Sequence, residues 1–231
     1  MMNKKISICI PTYEMHGLGV KYLGESFEIL KKQTFKNFDI VISDHSKNDE
    51  IKNLCEKYQK DLEINYFKNE EKRGNSSANL NNAIKNADGE IIKILFQDDF
   101  LFHENSLLEI ASSFDTTKDS WLITGCEHFD NEKYYREFYP KYNKYIHLGV
   151  NTISSPSVLS IKNENPILFD ENLIWLMDVD YYKKCYQKFG PPKILNTINV
   201  VNRTGNHQVS NSTINAIIKL KETLYTLFKK Y

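Results

Sequence analysis

Two neighbouring carboxylates, Asp98 and Asp99, come one residue after a strongly apolar segment at residues 90–96, EIIKILF. Adjacent carboxylates repel each other, and each costs free energy when it leaves water without a partner. A hard divalent cation compensates for both effects, because Mg²⁺ takes oxygen ligands and typically joins one or two carboxylates to substrate phosphates. The alternative is a solvated turn in which an aspartate caps the following helix. The pair is therefore a candidate site for a metal and a phosphate.

A second acidic pair, Asp178 and Asp180, lies in WLMDVDYY near residue 180. A carboxylate placed beside a substrate hydroxyl can remove its proton as a general base. The alternative is a helix whose first turn carries acidic residues because they interact favourably with its dipole. A third polar patch contains Arg203 and His207, although a single histidine is more often structural than a ligand.

Strand and helix patterns alternate over the first hundred residues, which predicts βαβ units and a mostly parallel sheet. The strand patterns cover residues 6–10, 39–43, 63–67 and 90–96, and the helical patterns cover 21–33, 51–60 and 76–87. In such sheets ligands bind at the carboxyl ends of the strands. Polar residues follow three of these ends, at 12–14, 44–46 and 97–99. We therefore expect the three polar segments to converge on one crevice.

The second half of the chain is less regular. Helical patterns cover 103–114, 178–189 and 212–230, and strand patterns cover 121–129 and 194–201. Gly190 is expected to end the second of these helices. The stretch from Asn151 to Ser157 is a candidate loop between the two substrates.

Composition excludes several classes of protein. The 231 residues suffice for one compact domain, and 30 basic and 30 acidic residues give no net charge, which argues against a nucleic-acid partner. No run approaches the ~18 apolar residues of a membrane span, and the N-terminus lacks a secretory pattern. The four cysteines are widely spaced, which indicates reduced thiols in a cytoplasmic protein.

In this order, the motifs resemble those of the family 2 glycosyltransferases, nucleotide-sugar-dependent enzymes of the GT-A fold. The matching segments are ISICIPTYE, DIVISDHSKND, RGNSSANLNNAIKNADGEIIKILFQDDF, WLMDVDYY and NRTGNHQVS. The resemblance implies an α/β fold: a single Rossmann-like GT-A domain over 1–231, with a mostly parallel central sheet flanked by helices. It divides the domain into a nucleotide-binding half (1–100), an irregular acceptor and catalytic half (101–212) and a C-terminal helix (213–231).

The resemblance also implies a role for individual residues. Those expected to bind the nucleotide-sugar are Pro11, Thr12, Tyr13, Glu14, Asp44, Gly74, Asn79, Gln97, Asp98 and Arg203. A divalent cation, Mg²⁺ or Mn²⁺, would be held by Asp98, Asp99 and His207. Asp178 would be the catalytic base.

Two positions depart from the family pattern. Phe96 stands where an acidic residue usually begins the metal motif, and Met177 stands where a glutamate usually precedes the base. The first departure leaves open whether His207 completes the metal shell or the metal binds more weakly. The second leaves open the choice between Asp178 and Asp180.

The predicted reaction is inverting, metal-dependent transfer of a sugar from a UDP-sugar to a saccharide or lipid-linked glycan, as in bacterial surface polysaccharide synthesis. The alternative is a catalytically weak nucleotide- or carbohydrate-binding protein of the same fold. A sugar nucleotidyltransferase would need a Gly-rich, Arg-bearing loop after the first strand, and a Rossmann oxidoreductase would need GxGxxG there. The sequence PTYEMHGLG contains neither.

Two segments of the second half bear on the acceptor and on location. Residues 129–145 contain two Phe and five Tyr, which could stack on sugar rings or pack beneath a loop or lid. The C-terminal helical pattern sets apolar residues among lysines. That pattern is compatible with peripheral contact at the inner face of a membrane, and equally with packing on the same domain or on a second subunit.

Overall fold

A computed structural model of the chain describes residues 4–205 and 214–229. The strands are β1 Ile6–Thr12, β2 Phe38–Asp44, β3 Ile64–Lys68, β4 Ile91–Ile94, β5 Phe100–Leu101, β6 Trp121–Phe129, β7 Tyr134–Phe138, β8 Leu159–Lys162 and β9 Lys193–Arg203. The helices are α1 Gly19–Lys31, α2 Glu50–Tyr58, α3 Ser76–Lys85, α4 Ser106–Ser113, α5 Met177–Phe189 and α6 Ala216–Lys229.

One mixed sheet joins both halves of the described chain. Its strand order is β3-β2-β1-β4-β8-β6-β9-β5, and β7 pairs with β6 at the side of this path. The four strands of the first half are parallel, as predicted, because a helix connects each strand to the next. Beyond them β8 runs antiparallel to both β4 and β6, and a short turn returns β7 along β6. The sheet is thus parallel beneath the first half and mixed beneath the second.

The core lies on both faces of the parallel strands. Every residue of β1 and β2 is buried, which explains their apolar runs, because helices cover a parallel sheet on both sides. The stripe predicted for α1 is confirmed: Leu23, Phe27 and Leu30 are all fully buried. This packing fixes where the carboxyl ends of the strands lie.

The predicted strand at 121–129 matches β6, and Gly190 caps α5 at its carboxyl end with a positive φ of 79°. The predicted strand at 90–96 is too long, because β4 ends at Ile94 and the chain then turns at residues 97 and 98. The short strands β5, β7 and β8 were not predicted. They have few residues, and their partners are distant in sequence or irregularly paired.

Candidate active site

Three predicted residues meet where β1 and β2 end and α3 begins. The Thr12 hydroxyl donates to Asp44 Oδ1 at 3.1 Å, and the Asn79 side-chain amide donates to the Thr12 carbonyl at 3.0 Å. The Ser43 hydroxyl donates to Asn79 Oδ1 at 2.7 Å. The expected convergence of polar residues at the carboxyl ends of the first two strands is therefore present.

The Asp44 carboxylate is fully buried and accepts hydrogen bonds from several protein groups. Its Oδ2 accepts from the Tyr66 hydroxyl at 2.7 Å and lies 3.4 Å from Lys68 Nζ, and its Oδ1 accepts from the Ser46 amide at 2.9 Å. Burial, followed by the hydrogen bond to Asp44, raises the pKa of Tyr66. Asp44, at the end of β2, therefore contacts residues at the ends of β1 and β3. Its contact with a nucleobase stays a prediction.

Gln97, which follows β4, contacts the backbone that follows β1. Its Oε1 accepts from the Tyr13 amide at 3.0 Å, while its buried Nε2 has no hydrogen-bond partner among the residues that the structure describes. A Cβ at Gly19 would lie 2.7 Å from that Nε2 and 2.4 Å from the Tyr13 carbonyl oxygen, so only glycine fits there. Burial, then the charges of Asp98 and Glu14, raise the pKa of Tyr13. These groups form one wall of the crevice.

Three further predicted residues flank this wall. Glu14 accepts a hydrogen bond from the Lys47 amide, and Pro11 is paired with Ser43 in the register of β1 and β2. Gly74 lies on the exposed loop before α3 with a φ of +88°, a conformation that favours glycine.

The two aspartates of the predicted metal motif differ in environment. Asp99 is almost fully buried and accepts hydrogen bonds from the Arg203 amide at 3.0 Å, Asn202 Nδ2 at 2.8 Å and the Ser155 hydroxyl at 3.2 Å. Burial, followed by the charge of Asp98, raises the pKa of Asp99 to about 7. Asp98 is half-buried at the turn. Asp99 therefore holds the turn, and Asp98 is the more exposed carboxylate.

Arg203 fastens the same turn from β9. Its Nε donates to the Asp98 carbonyl at 3.0 Å, and its Nη2 lies 2.6 Å from Glu25 Oε2. A further N–H group donates to Asn131, and the guanidinium lies 4.2 Å from the centroid of the Tyr22 ring. These contacts direct the guanidinium toward protein groups, and its contact with a phosphate stays a prediction.

The half-buried carboxylate of Asp98 fits the chemistry of a divalent cation. One carboxylate with substrate phosphates is a common set of Mg²⁺ ligands, and in the predicted site Asp98 would supply that carboxylate. The described part of the chain contains no cluster of three or more His, Cys, Asp or Glu that could hold a metal by itself. His207, the third predicted ligand, lies outside the described residues.

The two aspartates of α5 also differ. The buried carboxylate of Asp180 lies 3.0 Å from Lys184 Nζ, one turn further along the helix. Asp178 is half-buried, and its Oδ2 is 3.4 Å from Asn151 Nδ2. Burial, together with the charge of Glu222, raises the pKa of Asp178 to about 7. A pKa near neutrality would suit a general base, and the assignment of that role to Asp178 rather than Asp180 stays a prediction.

Hydrogen bonds connect Asp178, through the loop after residue 150, to Asp99, which directly follows the turn at residues 97 and 98. Asn151 Nδ2 contacts Asp178 and donates to the Ser154 carbonyl at 3.0 Å. The Ser154 hydroxyl lies 2.9 Å from Asn202 Oδ1, and Asn202 Nδ2 in turn donates to Asp99. The loop predicted to lie between the two substrates thus links the candidate base to the candidate metal site.

Sequence reasoning assigned no individual role to Asn202, Ser155 or Glu222, although Ser155 lies in the loop predicted at 151–157 and Asn202 begins the matching segment NRTGNHQVS. The signal for Asn202 is a polar side chain that follows Val200 and Val201 at the buried end of β9. The contacts of Ser155 and Glu222 have no local signal, because their partners Asp99 and Ile174 are 56 and 48 residues away in sequence.

The aromatic segment lies beside this loop and remains partly open to solvent. Tyr134, Tyr135, Tyr139 and Tyr145 are exposed, and Tyr142 stacks on Tyr186 of α5 with 3.9 Å between ring centroids. A cavity of about 330 Å³ opens here, lined by Lys141, Tyr142, Asn143, Lys144 and Thr152. The segment therefore offers aromatic faces and hydroxyl groups at the surface.

Comparison with known proteins identifies the family. The model of glycosyl transferase family 2 matches residues 7–167. Over 98 residues the chain is 32% identical to the GalNAc(5)-diNAcBac-PP-undecaprenol beta-1,3-glucosyltransferase of Campylobacter jejuni, covering 42% of this chain and 30% of that protein. The chain spans 64% of the length of one curated relative that it matches and less of several others.

Solved structures agree on the fold. Staphylococcus aureus TarS (residues 1–349), in complex with UDP-GlcNAc, superposes with a TM-score of 0.72 at 21% identity, covering 92% of this chain and 62% of that one. The mannosyltransferase PcManGT of Pyrobaculum calidifontis, in complex with GDP-Man and Mn²⁺, gives a TM-score of 0.61 at 16% identity, covering 88% and 57%. This chain, with its GT-A fold, belongs to glycosyl transferase family 2.

Proposed function

We propose that this chain transfers a sugar from a UDP-sugar to a saccharide or lipid-linked glycan acceptor, with inversion at the transferred carbon. The observation that carries the proposal is the hydrogen-bonded path from Asp178 through Asn151, Ser154 and Asn202 to Asp99. It couples a half-buried carboxylate with a raised pKa to a carboxylate turn at the carboxyl end of a parallel strand.

The donor occupies the crevice at the ends of β1, β2 and β4. The complex of TarS with UDP-GlcNAc supports a UDP-sugar, and the unpartnered Gln97 Nε2 is a buried donor that an oxygen of the nucleotide-sugar would satisfy. A buried N–H group without a hydrogen-bond partner costs free energy, so an oxygen of the nucleotide-sugar that accepts from Gln97 Nε2 would contribute to the free energy of binding. Thr12, Tyr13 and Asn79 shape the same wall.

Asp98 holds the divalent cation in this proposal, with diphosphate oxygens as further ligands and His207 as the predicted third protein ligand. The cation, when bound, stabilises the negative charge that develops on the leaving diphosphate. Asp99 sets the position of Asp98 through its three hydrogen bonds to protein groups. The Mn²⁺ complex of PcManGT supports metal dependence.

Asp178 removes the proton of the acceptor hydroxyl as the hydroxyl oxygen attacks the anomeric carbon. The new bond joins the acceptor oxygen to that carbon, and the bond to the diphosphate oxygen breaks with its electron pair. The proton goes to the Asp178 carboxylate. One displacement at one face of the sugar inverts the anomeric configuration.

The acceptor binds along the aromatic segment and the cavity beside Asn151. Tyrosine faces stack on sugar rings and their hydroxyls reach sugar hydroxyls. The Tyr142 and Thr152 hydroxyls are buried and lack partners among the described residues, so a polar acceptor would satisfy both. The Campylobacter relative acts on a glycan linked to PP-undecaprenol, which supports a lipid-linked acceptor.

Helix α6 carries the proposed contact with a membrane surface. Its exposed apolar side chains form a stripe: Ile217, Leu220, Leu224, Leu227 and Phe228 are between 42% and 81% exposed. Lys221 is exposed on the same helix beside the stripe, which matches an anionic lipid surface. Within residues 4–205 and 214–229, no helix combines the length and apolarity that a bilayer span requires.

Vesicle sedimentation tests the membrane contact. We expect the chain to sediment with vesicles that contain phosphatidylglycerol and to remain in solution with neutral vesicles, and Phe228→Glu to abolish sedimentation. Equal recovery with and without anionic lipid would overturn the contact. A concentration-dependent dimer that Phe228→Glu dissociates would assign the stripe to a second copy instead.

A screen of UDP-sugars and GDP-mannose tests the donor and the reaction. We expect UDP release from at least one UDP-sugar, dependent on Mn²⁺ or Mg²⁺, and stronger UDP binding by calorimetry when the metal is present. UDP binding that is indifferent to metal, with no turnover of any donor, would favour the catalytically weak binding protein. No binding of any nucleotide would overturn both.

A further inference from the structure

The C-terminal helix α6 carries a carboxylate, Glu222, that is only 6% exposed. Its Oε1 accepts from the Ile174 amide at 2.8 Å, and its Oε2 accepts from the amides of Trp175 and Leu176 at 2.9 and 2.8 Å. Three successive backbone N–H groups that converge on one oxygen pair form an anion-binding nest. Hydrogen bonds to an ionised acceptor are roughly twice as strong as neutral ones, so this contact holds the segment firmly.

The bound segment leads directly into α5. Leu176 is the N-cap of that helix and provides no side-chain cap, and Asp178 lies in the first turn. Backbone N–H groups at the start of a helix need acceptors, and negative charge is favourable there. Glu222 supplies that charge from a residue 46 positions further along the chain than Leu176. The direction of α5 at its first turn therefore depends on α6.

The same segment places the indole ring of Trp175 against the turn at residues 146–149. A Cβ at Gly149 would lie 2.9 Å from Trp175 Cη2, so the ring packs closely on that backbone, where φ is +92°. Lys219 Nζ lies 5.5 Å from the Trp175 ring on its α6 side. Trp175 is thus packed between α6 and the turn at residues 146–149.

We propose that Glu222 is a positioning residue that sets the place of the catalytic base Asp178 by holding residues 174–176. The proposal rests on the proposed function, because it assigns Asp178 to proton removal. In this proposal α6 contributes to catalysis through Glu222, which lies on the side of the helix opposite the exposed stripe.

The electrostatics of the base support this assignment. Burial is the main cause that raises the pKa of Asp178 to about 7, and the charge of Glu222 adds to it. The titratable groups that face Asp178 are Glu222 from α6 and Tyr182 from α5, while the loop presents the neutral amide of Asn151. Loss of the Glu222 charge would therefore lower the pKa of Asp178.

Glu222→Gln is the test, because it keeps the shape and removes the charge and one acceptor oxygen. Tyr225→Phe is the matched control: it removes a contact of the same helix with the same loop, from the Tyr225 hydroxyl to Asp170 Oδ2 at 3.2 Å, and leaves residues 174–176 bound. Both variants are compared with the unchanged chain by kcat and donor KM over pH 5–9, UDP calorimetry, and amide hydrogen exchange of the 170–180 segment.

In Glu222→Gln we expect the amide hydrogens of residues 174–176 to exchange with solvent at least tenfold faster. We expect kcat to fall at least tenfold, with the KM for the sugar donor within twofold. The acidic limb of the pH profile of kcat should move to lower pH. Tyr225→Phe should keep kcat within twofold. If Glu222→Gln does not fold, Glu222→Asp is measured in its place, because it keeps the charge but retracts the carboxylate by one methylene. We then expect the same loss of kcat and the same faster amide exchange, with no shift of the acidic limb of the pH profile.

Unchanged kcat and an unchanged acidic limb in a folded Glu222→Gln would overturn the positioning role, as would unchanged amide exchange. An equal loss of kcat in Tyr225→Phe would reduce Glu222 to a general structural contact and also overturn it. Failure of the proposed function is recognised separately, since it would appear as absent turnover and absent UDP binding in the unchanged chain.

Discussion

At the scale of single residues, the two acidic pairs of the candidate site each contain aspartates that differ in burial and in hydrogen-bond partners. Asp180 is paired with Lys184, whereas Asp178 faces the Asn151 loop with a pKa raised to about 7. Asp99 is held by three protein donors, whereas Asp98 is half-buried at the turn. In each pair, one carboxylate is buried and the other is half-buried. We propose that the half-buried carboxylate is the one that serves the substrate or the metal.

Asp178→Asn should lower transfer at least a hundredfold, because the amide cannot accept the acceptor proton. UDP affinity should stay within twofold, since the donor crevice is built from other elements. The melting temperature should rise by about 2–4 °C at pH 8, because a partly buried charge is removed; ~1 kcal/mol corresponds to that shift in a chain of this size. Initial rates, calorimetry and thermal melts check these outcomes, and wild-type turnover in the variant would exclude Asp178 as the base.

The pH dependence of kcat follows from the same carboxylate. A general base acts in its ionised form, and burial together with Glu222 raises the Asp178 pKa to about 7, so kcat should rise as pH increases from 6 to 8. Stability should change in the opposite direction: a raised carboxyl pKa in the folded state means that stability is lost as pH rises through that value. Rates and urea unfolding at pH 5.5, 7 and 8.5 measure both, and a flat rate profile would contradict the assignment.

At the scale of elements, the loop from Asn151 to Ser155 and strand β9 join parts of the site that lie far apart in sequence. Asn202 of β9 contacts both Asp99 and Ser155, and its Oδ1 lies 2.9 Å from the Ser154 hydroxyl. A shift in β9 would therefore move the carboxylate turn and the loop beside Asp178 together. The short strands that sequence patterns do not reveal are part of the same framework, since β5 pairs with β9.

Asn202→Ala should weaken metal-dependent UDP binding at least fivefold and destabilise the fold by about 1–3 kcal/mol, because Asp99 loses a buried donor. The matched control is Asn199→Ala on the same strand, whose amide is equally buried but donates to the Ser106 carbonyl and to Glu109. The control should lose comparable stability and keep the effect of Mn²⁺ on UDP binding. Calorimetry and urea unfolding of both variants make the comparison, and equal UDP losses in both would remove Asn202 from the site.

At the scale of the whole molecule, one sheet carries both parts of the candidate site. The parallel strands end at the crevice proposed for the donor, and the mixed strands beyond β4 carry the turn and the loop that lead to Asp178. Because the strands share a continuous core, the two halves should unfold together. Binding of the donor to one half should therefore stabilise the whole chain.

UDP with Mn²⁺, each at about a hundredfold excess over its Kd, should raise the melting temperature by about 5–10 °C in a single transition, since such an excess adds ~2.7 kcal/mol to the stability of the folded state. UDP alone should raise it less, and Asp98→Ala should abolish the additional effect of Mn²⁺. Differential scanning calorimetry gives these values. A second transition that ignores UDP would show that the acceptor half unfolds independently.

The sequence by itself determined the family, the parallel half of the sheet and the positions of the candidate acids. Buried parallel strands have a local pattern, and Asp44, Asp98 and Asp178 occur within motifs that are contiguous in the chain. The fold that these patterns predict is confirmed by the family match and by the superposed structures.

Only the tertiary structure decided which acid of each pair is buried and which distant residues hold the surrounding segments in place. Lys184 lies beside Asp180, and Asn202, Ser155 and Glu222 hold the segments around Asp99 and Asp178 from distant parts of the chain. The pKa of a carboxylate depends on its burial and on charges within a few ångströms, and those neighbours are set by packing between elements rather than by adjacent sequence. No local pattern of residues records that packing.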